Sequence, residues 1–84
     1  MSESPPSIFL VDDDEVFRER LARAFRGRGY SVTEAADVPQ AGGALRGGLP
    51  DFAVIDLRLP SGSGLEVVRL VKRRSPRTVM VVLT

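Results

Sequence analysis

Two short apolar runs that each stop dead on aspartate constrain this chain more than any other feature. Ile8-Phe9-Leu10-Val11 runs without a polar break into Asp12-Asp13, and Phe52-Ala53-Val54-Ile55 runs into Asp56. A strand with one face in water alternates apolar and polar residues, whereas an unbroken run suits a strand covered on both faces. Between the runs lie helical patterns. Phe17, Leu21, Ala24 and Phe25 recur at helical spacing after Asp14, a suitable N-cap, with Gly27 or Gly29 as the stop. Tyr30 to Ala35 reads as a second strand. Asp37 can cap a helix reaching Arg46 with Ala41, Ala44 and Leu45 inward, although Gly42-Gly43 weakens it. A third helix covers Leu65 to Arg74, with Leu65, Val68 and Val71 or Val67 and Leu70 inward, and Ser75-Pro76 ends it. Thr78 to Leu83 is the last strand, and Met1 to Pro6 a polar, Pro-bearing tail. The order β-α-β-α-β-α-β means an α/β fold with a doubly wound parallel sheet.

Composition removes several chemistries. Cys and His are both absent, which excludes disulfides, zinc fingers, His–carboxylate metal centres and Cys- or Ser–His catalysis. Twelve basic and eleven acidic residues give a net charge of +1, no footprint for nucleic acid, and no helix-turn-helix is present. There is no long apolar run and no signal peptide, so the expected location is the cytoplasm, with no membrane partner. At 84 residues the core is small.

In open α/β sheets ligands bind beyond the carboxyl ends of the strands, where the strand order switches. If the first and third strands are neighbours, Asp12, Asp13 and Asp56 converge there. Crowded carboxylates raise one another's pKa unless a cation sits among them, and Mg²⁺ suits a site of carboxylates plus a phosphate oxygen. The expected chemistry is a metal-assisted phosphoryl site with one carboxylate free as nucleophile. Asp14 and Glu15 read instead as first-turn acids. A haloacid-dehalogenase-type phosphatase also uses an aspartate after a parallel strand, but it needs a second aspartate two positions on, where Arg58 stands. Gly27-Arg28-Gly29 follows a helix and is no dinucleotide fingerprint. Gly62-Ser63-Gly64 reads as a turn with Ser63 as N-cap. Arg18, Arg20, Arg23, Arg26 and Arg28 read as a solvated helix face, and Lys72-Arg73-Arg74 complements a helix C-terminus.

These motifs together resemble the receiver domain of two-component response regulators, from Ser7 to Thr84. Val11-Asp12-Asp13 looks like that family's paired acids, and Pro50-Asp51-Phe52-Ala53-Val54-Ile55-Asp56 like the run to its phosphoacceptor. Pro60, Gly64 and Thr84 match its later positions. Phe17 to Phe25 and Ile55-Asp56-Leu57-Arg58-Leu59 are similar to the proteobacterial redox-responding regulators of the RegA, PrrA and ActR type. The resemblance implies a flavodoxin-like fold with strand order 2-1-3-4 here, and a signalling domain rather than an enzyme. It implies that Asp56 accepts a phosphoryl group from a sensor histidine kinase. Asp13, Asp56 and the backbone carbonyl of Arg58 would ligate Mg²⁺, Asp12 would hold metal-bound water, and Thr84 would turn its hydroxyl toward the phosphoryl oxygens. It further implies kinase docking around the first helix, and transcription control through a C-terminal DNA-binding domain outside these residues.

The family has five strands and five helices. Residues 7–84 are therefore expected to be the N-terminal two-thirds of a receiver, without the fifth strand and its phosphate-contacting lysine. The Val-rich last strand is expected to present an unpaired edge and to support self-association. A phosphorylation-incompetent dimerisation module working through that edge is the alternative reading.

Overall fold

The computed structural model describes residues 4–60 and 62–83; Met1 to Glu3 of the expected tail, Ser61 and Thr84 lie outside them. The elements in chain order are β1 (Ser7–Val11), α1 (Glu15–Gly27), β2 (Ser31–Ala35), α2 (Val38–Arg46), β3 (Phe52–Asp56), β4 (Arg58–Leu59), β5 (Gly62–Ser63), α3 (Gly64–Arg74) and β6 (Val79–Leu83). The chain is anchored just before β1, where the Pro6 carbonyl accepts the Ser31 N–H at 2.9 Å.

The unbroken apolar run of β1 is explained by its central place. β1 pairs in parallel with β2 on one side and β3 on the other, and the main sheet has the order β2-β1-β3-β6. All its pairings are parallel, and β6, the fourth long strand, lies beside β3 as expected. Ile8 and Leu10 pack with Ala22 of α1 on one face. Phe9 and Val11 pack on the other with Ala41 and Leu45 of α2 and Val67 and Val71 of α3. None of the four residues of the run is more than 4% exposed. The chain steps from β1 to β2 on one side, then back past β1 to β3, so the strand order switches between β1 and β3.

The inward stripe of α1 differs from the one expected. Ala22 is its fully buried residue, with Leu21 and Phe25 packed beside it, whereas Phe17 is 44% exposed. At 3.6 residues per turn Phe17 lies about 140° round the helix from Ala22, and Ala24 about 160°, while Arg18 lies within about 40° of it. An arginine therefore heads the stripe that faces the sheet. α2 forms despite Gly42-Gly43, with Ala41 and Leu45 buried. α3 starts at Gly64, one residue earlier than expected, and buries Val67 and Val71 while Leu65 is 46% exposed. Ser63 caps it as expected, accepting the Leu65 N–H at 3.1 Å. The loop after β3 contains an antiparallel pair, Arg58↔Ser63 and Leu59↔Gly62, where the sequence suggested plain turn. Among the described residues β6 has a strand partner on one side, and Val79, Val81 and Val82 are exposed.

Two glycines make opposite predictions. A Cβ on Gly43 would meet nothing within 4 Å, so Gly43→Ala should gain roughly 1 kcal/mol from helix propensity. A Cβ on Gly64 would collide with the Asp56 carbonyl oxygen and carbon and with Leu57 Cα. Gly64→Ala should lose about 3 kcal/mol, as overpacking against backbone does. Urea denaturation of both variants checks the pair; equal signs would contradict the packing described.

Candidate functional site

Asp12 and Asp56 stand at the carboxyl ends of adjacent parallel strands, and the local backbone explains how each is held. The Asp12 N–H donates to the Ala35 carbonyl at 3.1 Å, extending the β1–β2 ladder past the strand end. Its Oδ1 then accepts the Asp14 N–H at 2.9 Å, turning the chain into α1. Asp14 in turn caps α1 by accepting the Phe17 N–H at 3.0 Å, so the four consecutive acids divide as expected between site and helix start. At the other strand, Asp56 Oδ1 accepts the Arg58 N–H at 2.9 Å. The Leu57 N–H bonds the Leu83 carbonyl and the Gly64 N–H bonds the Leu57 carbonyl, both at 3.0 Å. Those bonds draw α3 onto the backbone behind Asp56, which is why residue 64 has no room for a side chain.

The three expected carboxylates do come together. One oxygen each from Asp12, Asp13 and Asp56 lie within 4.8 Å of one another. Asp12 is 9% exposed, Asp56 half-buried and Asp13 exposed. Burial first, then the neighbouring charges of Asp56, Asp13 and Asp14, push the Asp12 pKa up against the lowering effect of the Asp14 N–H. An all-oxygen, closely spaced and mutually repelling donor set fits a hard divalent cation. Arg58 lies beside the cluster through its N–H. Thr84 lies outside the described residues.

One residue escaped the sequence reading. Arg18 belongs to the helix face expected to be solvated, yet its side chain is 12% exposed. Its Nη1 donates to the Asp12 carbonyl at 2.7 Å, and its Nε pairs with Glu34 of β2 at 3.0 Å. Arg26 completes the cluster with Nη1 on Glu34 at 3.4 Å and Nη2 on the Val32 carbonyl at 3.0 Å. The usable signal was the spacing of Arg18 with Leu21, Ala22 and Phe25.

Folding raises the Asp12 pKa above its ordinary 3.8, so the folded chain keeps that proton to higher pH than the unfolded chain does. The contribution is fully present below the ordinary value and is lost as pH rises through the folded one. At neutral pH ionised Asp12 is thus a cost. Asp12→Asn, which keeps an oxygen for the Asp14 N–H, should raise Tm in divalent-free buffer at neutral pH, and the gain should vanish below the ordinary carboxyl pKa. A lower Tm at neutral pH would contradict the crowding described.

The fold and cluster have counterparts in known proteins. The family model for the response regulator receiver domain matches residues 8–84. The photosynthetic apparatus regulatory protein RegA of Rhodobacter capsulatus is 50% identical over 82 residues, covering 96% of this chain and 44% of RegA. The chain thus spans less than half the length of that relative. A response regulator of Burkholderia pseudomallei, solved with a phosphorylated aspartic acid, a calcium ion and citrate, superposes with a TM-score of 0.89 at 32% identity, over 94% of this chain and 46% of that one. TrrA of Thermotoga maritima, solved with Mg²⁺ and BeF, superposes with a TM-score of 0.82 at 28% identity, over 94% of this chain and 69% of that one. Among the described residues no helix is long and apolar enough to cross a membrane. With its parallel sheet, its acids at the switch point and a family match over nearly its whole length, the chain belongs to the response regulator receiver domain family.

Proposed function

We propose that this chain is the phosphoacceptor module of a two-component response regulator, taking a phosphoryl group on Asp56 from a sensor histidine kinase with Mg²⁺ in the cytoplasm. The observation that carries the reading is the convergence of Asp12, Asp13 and Asp56 at the ends of β1 and β3. In the transfer, a carboxylate oxygen of Asp56 attacks phosphorus and forms an acyl phosphate. The N–P bond of the donor phosphohistidine breaks, and its electron pair returns to the imidazole, which takes up a proton. The Arg58 N–H holds Asp56 Oδ1 at 2.9 Å, which fixes the carboxylate plane and leaves the second oxygen to attack. Asp13, Asp56 and the Arg58 carbonyl would hold Mg²⁺, with Asp12 toward its water ligands, and the ion would supply charge neutralisation of the phosphoryl oxygens. Thr84 contributes its hydroxyl to those oxygens in the phosphorylated state. We assign the output, transcription control through DNA, to a domain outside these residues; the chain's coverage of 44% of RegA is consistent with that division.

The test is phosphorylation of the full-length protein carrying these residues, with acetyl phosphate and Mg²⁺, read by intact mass. The wild type should gain one phosphoryl group and Asp56→Asn none. Equal labelling of both, or of neither, would overturn the reading. A second reading, edge-to-edge assembly of two copies through β6, draws on the exposure of Val79, Val81 and Val82. It expects residues 1–84 alone to form dimers by sedimentation that ignore both Mg²⁺ and Asp56→Asn, so that pair of 84-residue chains separates the readings.

A further inference from the structure

We infer that Arg18 is a positioning residue for the metal-binding acids: it anchors the Asp12–Asp13 peptide from which the Asp13 carboxylate departs, while Glu34 holds the guanidinium in place. The inference rests on the reading of Asp13 as a Mg²⁺ ligand given above. β2 ends at Ala35, whose carbonyl takes the Asp12 N–H, so the Asp12 carbonyl projects past the ladder. Arg18 Nη1 satisfies it at 2.7 Å. A peptide unit is planar, so fixing the Asp12 carbonyl fixes the Asp13 nitrogen and Cα, the backbone from which the Asp13 side chain departs. Among the described residues the Asp13 carboxylate takes no hydrogen bond, so its aim depends on that backbone.

A plain tether between α1 and β2 is the simpler account of an Arg–Glu pair, but two observations weigh against it. Arg18 holds the strand-end carbonyl at 2.7 Å as well as Glu34 at 3.0 Å, so it does more than join α1 to β2. Arg18 also heads the inward stripe with Leu21, Ala22 and Phe25, where an apolar residue would serve stability at least as well, since desolvating a guanidinium is costly. Glu34 offsets that charge and is itself braced by Arg26 at 3.4 Å. With Glu34 as a fixed anionic partner, the guanidinium does not swing toward the carboxylates and compete with the cation.

Calorimetric titration with Mg²⁺ in the same full-length protein tests this, with thermal unfolding alongside. Arg18→Met, which keeps the stem and loses the donors, should weaken Mg²⁺ binding about tenfold, the lower end of what removal of an outer-shell partner costs. Arg18→Lys should recover part of the affinity, having one compact donor group in place of a fork. An Arg18→Met affinity equal to wild type, whatever its Tm, would make Arg18 a structural tether and overturn the inference while leaving the phosphoacceptor reading intact. Should Arg18→Met fail to fold, Glu34→Gln decides in the same way: a smaller but measurable loss of affinity supports the inference, and unchanged affinity overturns it. Absence of Mg²⁺ binding by the wild type would remove the phosphoacceptor reading, and this inference with it.

Discussion

Three carboxylates with oxygens inside 4.8 Å of one another are an unfavourable thing for a small domain to build, and much of this structure can be understood from that repulsion. Asp12 is largely withdrawn from water and its pKa is pushed up, first by burial and then by its acidic neighbours. Such a cluster is tolerated when backbone holds the carboxylates in place and when a ligand relieves the charge. The sheet provides the first condition. β1 and β3 are parallel neighbours at the point where strand order reverses, so their carboxyl ends open on one crevice and their helices lie on opposite faces.

Each side of the crevice is fastened differently. On the β3 side, Asp56 accepts its own loop's Arg58 N–H, and the bare Gly64 backbone packs against the Asp56 carbonyl, so α3 closes the loop from behind. On the β1 side, Asp14 turns the chain into α1 and Arg18 reaches back to the Asp12 carbonyl. The first helix thus serves the site twice from its opening turn: the Asp14 cap shapes the acids, and Arg18 braces the strand end.

The strands were legible as short apolar runs, although only the run in β1 is buried throughout and Phe52 of β3 is 39% exposed. β1 could be read from Ile8-Phe9-Leu10-Val11, a short run bounded by Pro5-Pro6 and the acids, which suits a strand with helices on both faces. The site acids were legible for the same reason, as the residues where those runs stop. What could not be read was rotation and close approach. Phe17 has the hydropathy of a core residue but sits on the wrong side of α1, while Arg18 has the hydropathy of a surface residue and faces the sheet. Periodicity assigns a face by apolar content, and an arginine with two fixed partners defeats it. The two-residue strands β4 and β5 are too short for alternation to register. Gly64 showed itself as a loop residue, but the steric demand at the Asp56 carbonyl exists only in three dimensions.

At the ends of β1 and β3 the fold gathers a like-charge repulsion that a bound divalent cation would relieve. Differential scanning calorimetry against Mg²⁺ concentration, with NaCl matched for ionic strength, measures that relief directly. A ligand that binds the folded state raises Tm progressively as its concentration passes Kd, whereas screening alone is shared by both salts. Tm should climb with Mg²⁺ well beyond the NaCl control in the wild type, and Asp13→Asn should follow that control. Identical wild-type curves for Mg²⁺ and NaCl would contradict that relief.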